Sequence, residues 1–208
     1  MKRRFNGING PANLAIHEAT QPDVAELAAV AAATFPLACP PSADPADVAA
    51  HIKAILSVES FTAYLADPDR LVLMARHDGR TVGYAMLIRD TALIRDTAPI
   101  RDTAPIRDIG LLRNLGDPQS PGESSPTVEL SKIYVLPEYH SLGAASALLQ
   151  AGLAWAAEQG AASVWLGVNQ GNLRAQRFYT KHGFQVAGTR TFRLGESVED
   201  DFVMVRPV

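Results

Sequence analysis

The sequence lacks most of the features that name a function outright. It holds a single cysteine, Cys39, in 208 residues, so it forms no intrachain disulfide and no cysteine-based metal cluster. Cys39 lies in a proline-rich stretch and reads as an incidental small residue, not a nucleophile. The five histidines, at 17, 51, 77, 140 and 182, show no ligand spacing, and no metal site is expected. An excess of one charge is also missing: 19 basic residues face 22 acidic ones, for a net charge of −3. That leaves no electrostatic case for nucleic acid or a membrane surface as partner. No apolar run approaches the roughly 18 residues of a membrane span. The first residues are basic but lack an apolar core, so they are not read as a secretory signal, and a cytoplasmic protein is expected. No Gly-Lys-Ser/Thr follows a glycine, which excludes a P-loop. Gly143-Ala144-Ala145 supplies one glycine of the dinucleotide fingerprint, which is too few.

A substantial core is present. Hydrophobic residues make up 47% of the chain and charged residues 20%, the balance of a folded domain. Residues 1–12 are polar and glycine-rich and read as a loose arm. Residues 13–208 read as a single domain. Alternation over Leu14–Ala19 predicts a short strand. Gln21-Pro22-Asp23 signals a helix start, and Val24, Leu27, Ala28 and Ala31 form its apolar stripe. That helix should end before Phe35-Pro36, because proline disfavours helix in the residue before it. Asp44-Pro45 opens a second helix with Val48, Ile52, Ile55 and Leu56 on one face. Ser60–Ala66 reads as a third, and Asp67-Pro68-Asp69 as a turn. Leu71–Arg76 and Thr81–Ile88 make a hairpin around Asp78-Gly79. Gly83 in the second arm is a candidate bulge.

Residues 88–108 then repeat a hexapeptide, IRDTAL/IRDTAP, almost perfectly. Three short units containing proline are too few for a solenoid. Each unit carries one Arg and one Asp, so it is neutral and polar. It reads as an insertion, running with the linker-like 109–126 to about 88–126, that lengthens a surface connection. Further strands are expected at Thr127–Leu136, Ala161–Val168, Phe184–Leu194 around Gly188, and Asp201–Val205. Helices are expected over about 144–159 and Asn172–His182, the latter stopped by Gly183. The sum is an α+β domain of six or seven strands, mostly antiparallel, with about four helices.

Two stretches carry chemistry. At Tyr134–Leu149 a strand ends at Pro137, and a small-residue patch, Gly143-Ala144-Ala145-Ser146, opens a helix. Free N–H groups and the dipole of such a helix start attract phosphate or pyrophosphate, although an ordinary strand–helix connection would look similar. At Asn169–Phe184, Asn172, Ala175, Phe178 and Tyr179 fall close to one helical stripe. A pure core face needs neither the Asn nor the Tyr.

Together these stretches resemble the GCN5-related N-acetyltransferase superfamily (GNAT). The resemblance covers Leu14–Val208 apart from the insertion and is sharpest over Thr127–Phe184. The family's second signature, Asn-x-x-Ala-x-x-Phe-Tyr-x-x-x-Gly-Phe, is matched by Asn172, Ala175, Phe178, Tyr179, Gly183 and Phe184. The first, Gln/Arg-x-x-Gly-x-Gly/Ala, is matched from Gly143 to Ala145 but departs at its first position, where His140 stands.

The resemblance implies a sheet with splayed central strands and acetyl-CoA, the only cofactor it calls for, in a cleft between the strands at 127–136 and 163–168. Backbone groups of Ile133, Tyr134 and Val135 would pair with the pantetheine arm. His140, Ser141, Leu142, Gly143, Ala144, Ala145 and Ser146 would form the pyrophosphate cradle. Asn172 would hydrogen-bond near the pantetheine, and Tyr179 would protonate the leaving thiolate. An amine would attack the thioester directly, and something must take its proton. Glu129 is the first candidate base, on the strand face it shares with Ser131; Glu18, His17 and Asp201 are weaker ones. The expected acceptor is a small-molecule primary amine, shaped by segments holding Phe35, Phe61, Tyr64 and Phe192. The alternatives are a protein N-terminal or lysine acetyltransferase, and a non-catalytic member that only binds acetyl-CoA. Self-association as a homodimer is compatible with the sequence.

Overall fold

The computed structural model describes residues 13–90, 126–195 and 197–208. The arm at 1–12, most of the hexapeptide repeat and nearly all of the 109–126 connection lie outside the described residues. The chain divides into two compact units, Met1–Ile88 with Leu130–Trp155 and Arg89–Glu129 with Ala156–Val208. Among the described residues, seven strands, β1 (Leu14–Glu18), β2 (Arg70–His77), β3 (Arg80–Asp90), β4 (Thr127–Val135), β5 (Ser163–Asn169), β6 (Gln185–Leu194) and β7 (Ser197–Pro207), follow the hydrogen-bonded order β1-β2-β3-β4-β5-β7-β6, and the division between units passes through β4.

The first unit holds β1 (Leu14–Glu18), β2 (Arg70–His77) and β3 (Arg80–Asp90), paired antiparallel in that order. Asp78 and Gly79 turn β2 into β3 with φ of 49° and 79°. Two successive positive φ values are what a two-residue hairpin requires, which is why an Asp-Gly pair stands there. Thr20 and Asp23 form a capping box, with the Asp23 carboxylate accepting from the Thr20 backbone N–H at 2.8 Å. It starts the chain toward α1 (Val24–Thr34), which ends at the residue before Phe35-Pro36. Asp44 caps α2 (Pro45–Ile55), accepting from Ala46 N–H at 2.7 Å. Ser57 caps α3 (Val58–Ala66), which starts two residues earlier than the apolar pattern suggested because Ser57 takes the Ser60 N–H. Of the expected apolar face of α2, Val48 and Leu56 are buried, whereas Ile52 and Ile55 are half-buried.

Two glycines set how closely this unit packs. Ala75 pairs with Gly83 and Arg76 with Thr81, so Val82 is the extra residue of a bulge. The Val82 carbonyl accepts from the Leu136 N–H at 2.8 Å. A Cβ on Gly83 would stand 2.6 Å from the Tyr134 carbonyl oxygen, so the expected bulge glycine also lets β4 pass against β3. On α4 (Ala144–Glu158), a Cβ on Gly152 would stand 2.9 Å from both Leu87 methyls, so the helix lies directly on β3. Around these contacts Leu27, Phe61, Leu73, Met74 and Leu148 are fully buried.

In the second unit, Thr127–Glu129 of β4 runs parallel to Ser163–Trp165 of β5 (Ser163–Asn169). Strand β7 (Ser197–Pro207) pairs antiparallel with β5 and with β6 (Gln185–Leu194). The β6–β7 register shifts between Val186 and Gly188, the irregularity expected near Gly188. Trp165, Val203 and Val205 form a small core with Ala187 packed on it. Helix α5 (Leu173–Lys181) completes the unit. The fold is mixed α+β with a mostly antiparallel sheet. Five α-helices occur among the described residues against about four expected.

The close passage at Gly83 gives a direct test. Gly83→Val puts two methyls where the neighbour is backbone and cannot swing away. The urea midpoint should fall by the equivalent of about 1–3 kcal/mol with an unchanged m value.

Candidate active site

The turn after β4 is built from three local constraints. Pro137 cannot continue the ladder and opens a 3₁₀ segment, Pro137–Leu142. Gly143 then adopts φ +69°, a left-handed conformation that disfavours any Cβ, and its carbonyl accepts from Ala147 N–H at 3.0 Å to start α4. The first amides of α4, from Ala144, Ala145 and Ser146, have by position no acceptor within the helix, and the dipole makes that end favourable for anions. A Cβ on Gly143 would meet nothing within 4 Å, so the space beside this turn is open. Ser141 and Gly143 are exposed, and Leu142, Ala145 and Ser146 are half-buried. His140 Nε2 lies 2.8 Å from the Val135 carbonyl. The imidazole thus ties the turn back to the last residue of β4. Ile133 and Tyr134 are half-buried and Val135 is buried.

Helix α5 is held at both ends by the residues that stand out in the sequence. Asn172 is its N-cap: Oδ1 accepts from the Ala175 N–H at 3.0 Å. At the other end Gly183 takes φ +85°. Its N–H donates to the Thr180 carbonyl at 3.0 Å, and the Phe184 N–H donates to the Tyr179 carbonyl at 3.1 Å. This is a Schellman closure, and it includes the usual apolar contact, because the rings of Tyr179 and Phe184 meet at 5.8 Å. Tyr179 is buried and also touches Phe178, ring to ring, at 5.4 Å. The Asn…Tyr…Gly-Phe spacing is therefore a doubly capped nine-residue helix that fixes Tyr179.

Glu129 is 7% exposed in the same unit as α5. Its Oε1 lies 4.0 Å from Arg190 Nη1, and Arg190 Nε donates to Asp201 Oδ2 at 3.3 Å. Burial, above all, raises the Asp201 pKa, and Arg190 opposes that rise. His17 and Glu18 lie on β1 in the other unit.

Of the residues expected around the acceptor, Phe35, Phe61 and Tyr64 belong to the first unit and Phe192 to the second. The first three join an aromatic group that also contains His51, Tyr84 and Tyr134. Phe35 stacks on His51 at 4.4 Å, Tyr84 stacks on Tyr134 at 5.7 Å, and Phe61 meets Tyr84 edge-on at 5.5 Å. The Tyr84 hydroxyl is buried without a hydrogen-bond partner. Burial chiefly, then the neighbouring Tyr134 and Tyr64, hold its pKa well above the ordinary phenol value. Neither Tyr84 nor Arg190 was singled out from the sequence, because each looks like an ordinary residue in a strand. Among the described residues, no group of three or more His, Cys, Asp or Glu could hold a metal ion. No described helix is long and apolar enough to cross a membrane.

The profile of the Acetyltransferase (GNAT) family matches residues 39–184. The chain belongs to this family, and so to the acyltransferase enzymes. Two relatives, each described as an uncharacterized N-acetyltransferase, come from Mycobacterium tuberculosis and Mycobacterium bovis. Each is 52% identical over 184 residues, which is 88% of this chain and 97% of the relative. Among solved structures, the fold is similar to Arabidopsis thaliana NAA60 in complex with acetyl-CoA (TM-score 0.68, 16% identity, 94% of this chain and 98% of that one). It is also similar to the PaiA N-acetyltransferase of Thermoplasma acidophilum in complex with coenzyme A (TM-score 0.66, 18% identity, 94% and 99%).

The capping roles can be measured apart from any activity. Asn172→Ala removes the N-cap acceptor and should cost about 1 kcal/mol. Gly183→Ala forces a Cβ into the left-handed region and should cost about 1–2 kcal/mol. Equilibrium denaturation of each variant reads these losses, and amide exchange should show them concentrated in α5.

Proposed function

We propose that this protein is an acetyl-CoA-dependent N-acetyltransferase that passes the acetyl group directly to a primary amine of a small acceptor. The observation that carries the reading is the intact second signature, in which Asn172 and Gly183-Phe184 cap α5 and hold Tyr179 between them. On this reading the amides at Ser141–Ser146 receive the pyrophosphate, and Gly143 keeps the approach open. His140 acts from the side, by holding the turn against Val135. The backbone of Ile133–Val135 lies beyond the three residues of β4 that pair with β5, and it would take the pantetheine arm as a strand addition. Asn172 keeps its amide N–H groups for the same arm while its oxygen caps the helix. A small acceptor is the reading's expectation, and half-buried Tyr64 and Tyr134 are the members of the aromatic group that would border it.

The chemistry follows from the residue types. The amine nitrogen attacks the thioester carbonyl carbon, and the oxyanion that forms is met by a backbone N–H in the Tyr134–Val135 region. The C–S bond then breaks, and the Tyr179 hydroxyl gives its proton to the leaving thiolate. An alkyl ammonium with a pKa of about 10.4 is mostly protonated at neutral pH, so a base must take that proton. Glu129 is the candidate. Holding both reactants in line supplies the proximity term. The reading also makes the protein cytoplasmic, in reach of acetyl-CoA.

Thiol release from acetyl-CoA tests this over a panel of amines: spermidine, L-lysine, and a short peptide with a free N-terminal alanine. Tyr179→Phe should lower kcat by about 10²-fold or more with little change in the KM for acetyl-CoA. Gly143→Val should instead raise that KM sharply and leave kcat within a few-fold. Acetyl-CoA binding without turnover of any amine would convert the reading to a binding module. Absence of acetyl-CoA binding would overturn both.

A further inference from the structure

The second unit carries a buried charge cluster that the reaction above uses only in part. Paired strand residues share a face, as do alternate residues along a strand. Glu129 pairs with Trp165, Asn169 with Asp201, and Asp201 with Arg190. Gly167 lies between Trp165 and Asn169 on β5, so all of these residues face the same way. Arg190 sits on β6, three strands from β4 in the hydrogen-bonded order, a separation of roughly 14 Å. Its side chain closes that gap by lying across β5. A Cβ on Gly167 would fall 2.0 Å from Arg190 Nη2 and 2.2 Å from Cζ. The guanidinium therefore occupies a lane that exists only because position 167 has no side chain. Trp165 borders the lane, with its ring 5.7 Å from Cζ.

The groups in the lane are unequal. Arg190, Glu129 and Asp201 are 8%, 7% and 6% exposed, so one buried cation stands between two buried carboxyls. Burial, with Glu199 and Asp200 beside it, raises the Asp201 pKa, and Arg190 opposes that rise. Arg190 thus faces both carboxyls, through Nε toward Asp201 and through Nη1 toward Glu129. Nη1, the arm nearest Glu129, has no hydrogen-bond partner and stands 4.0 Å away.

We propose that Arg190 is a positioning residue for the proton acceptor of this enzyme: seated in the lane opened by Gly167 and anchored by Asp201, it holds the Glu129 carboxylate ionised and in place. The proposal rests on Glu129 being the base. Among the described residues, the charged groups on this face of the sheet include Arg190 from β6 and, behind it, Asp201 and Glu199 from β7, whereas Asp200 alternates to the other face. Strand β5 contributes Trp165 and Gly167, which carry no charge.

Carboxyl carbon NMR on the full chain tests this without an acceptor. The Glu129 resonance is assigned by its loss in Glu129→Gln and followed through a pH titration. In Arg190→Gln its midpoint should move up by about one pH unit or more, since a nearby cation favours the carboxylate. Arg190→Lys should restore most of that shift. Asp201→Asn, which keeps the shape and removes the competing carboxyl, should move the midpoint down. A midpoint that stays in place in Arg190→Gln, or one that moves up in Asp201→Asn as well, would overturn the proposal. Failure of the base assignment shows elsewhere, as Glu129→Gln turning over at the wild-type rate.

Discussion

A strand that stops inside a protein must find partners for its last backbone groups without adding another rung to the ladder. At the end of β4 three bonds meet this requirement. The Leu136 N–H goes to the bulged Val82 carbonyl, the Val135 carbonyl takes the His140 imidazole, and the Gly143 carbonyl starts α4. Each depends on a particular residue: Gly83 lets the strands approach, His140 reaches back, and Gly143 tolerates a left-handed φ. Together they turn a strand into a helix within eight residues, with the helix amides facing open space. The cradle proposed for pyrophosphate is a product of how the backbone closes its own hydrogen bonds.

The same logic explains α5. A helix of nine residues gains little from propagation and cannot persist on intrinsic propensity. It is closed at both ends, by Asn172 and by Gly183 with Phe184, and packed through buried Tyr179. A signature read as a set of ligand contacts is thus first a set of caps, and Tyr179 occupies the third position from the closing end because the Schellman geometry puts an apolar contact there. The two roles are compatible, since Asn172 spends its oxygen on the helix and keeps its N–H groups.

Much of this was legible beforehand. Strand and helix positions followed from alternation, from proline, and from the Asp-Gly turn, because those signals act within a few residues. Ser57 was missed as a cap because the apolar pattern of α3 starts later than its backbone does. The turn at His140–Ser146 and Tyr179 stood out because they belong to contiguous motifs. Arg190, Gly167 and Tyr84 could not, since their meaning arises only when strands far apart in sequence come together. Gly167 in a strand looks like a weak point until a guanidinium is found lying where its side chain would be. The hexapeptide repeat was conspicuous in the sequence and falls outside the described residues.

A nine-residue helix closed at both ends has few partly formed states. Losing either cap removes the reason for the remaining turns to persist, so α5 should be either present or absent as a whole. The population of intact α5 then limits the fraction of molecules in which Tyr179 is correctly placed at any instant. Heat would erode that fraction through local opening before the sheet itself gives way.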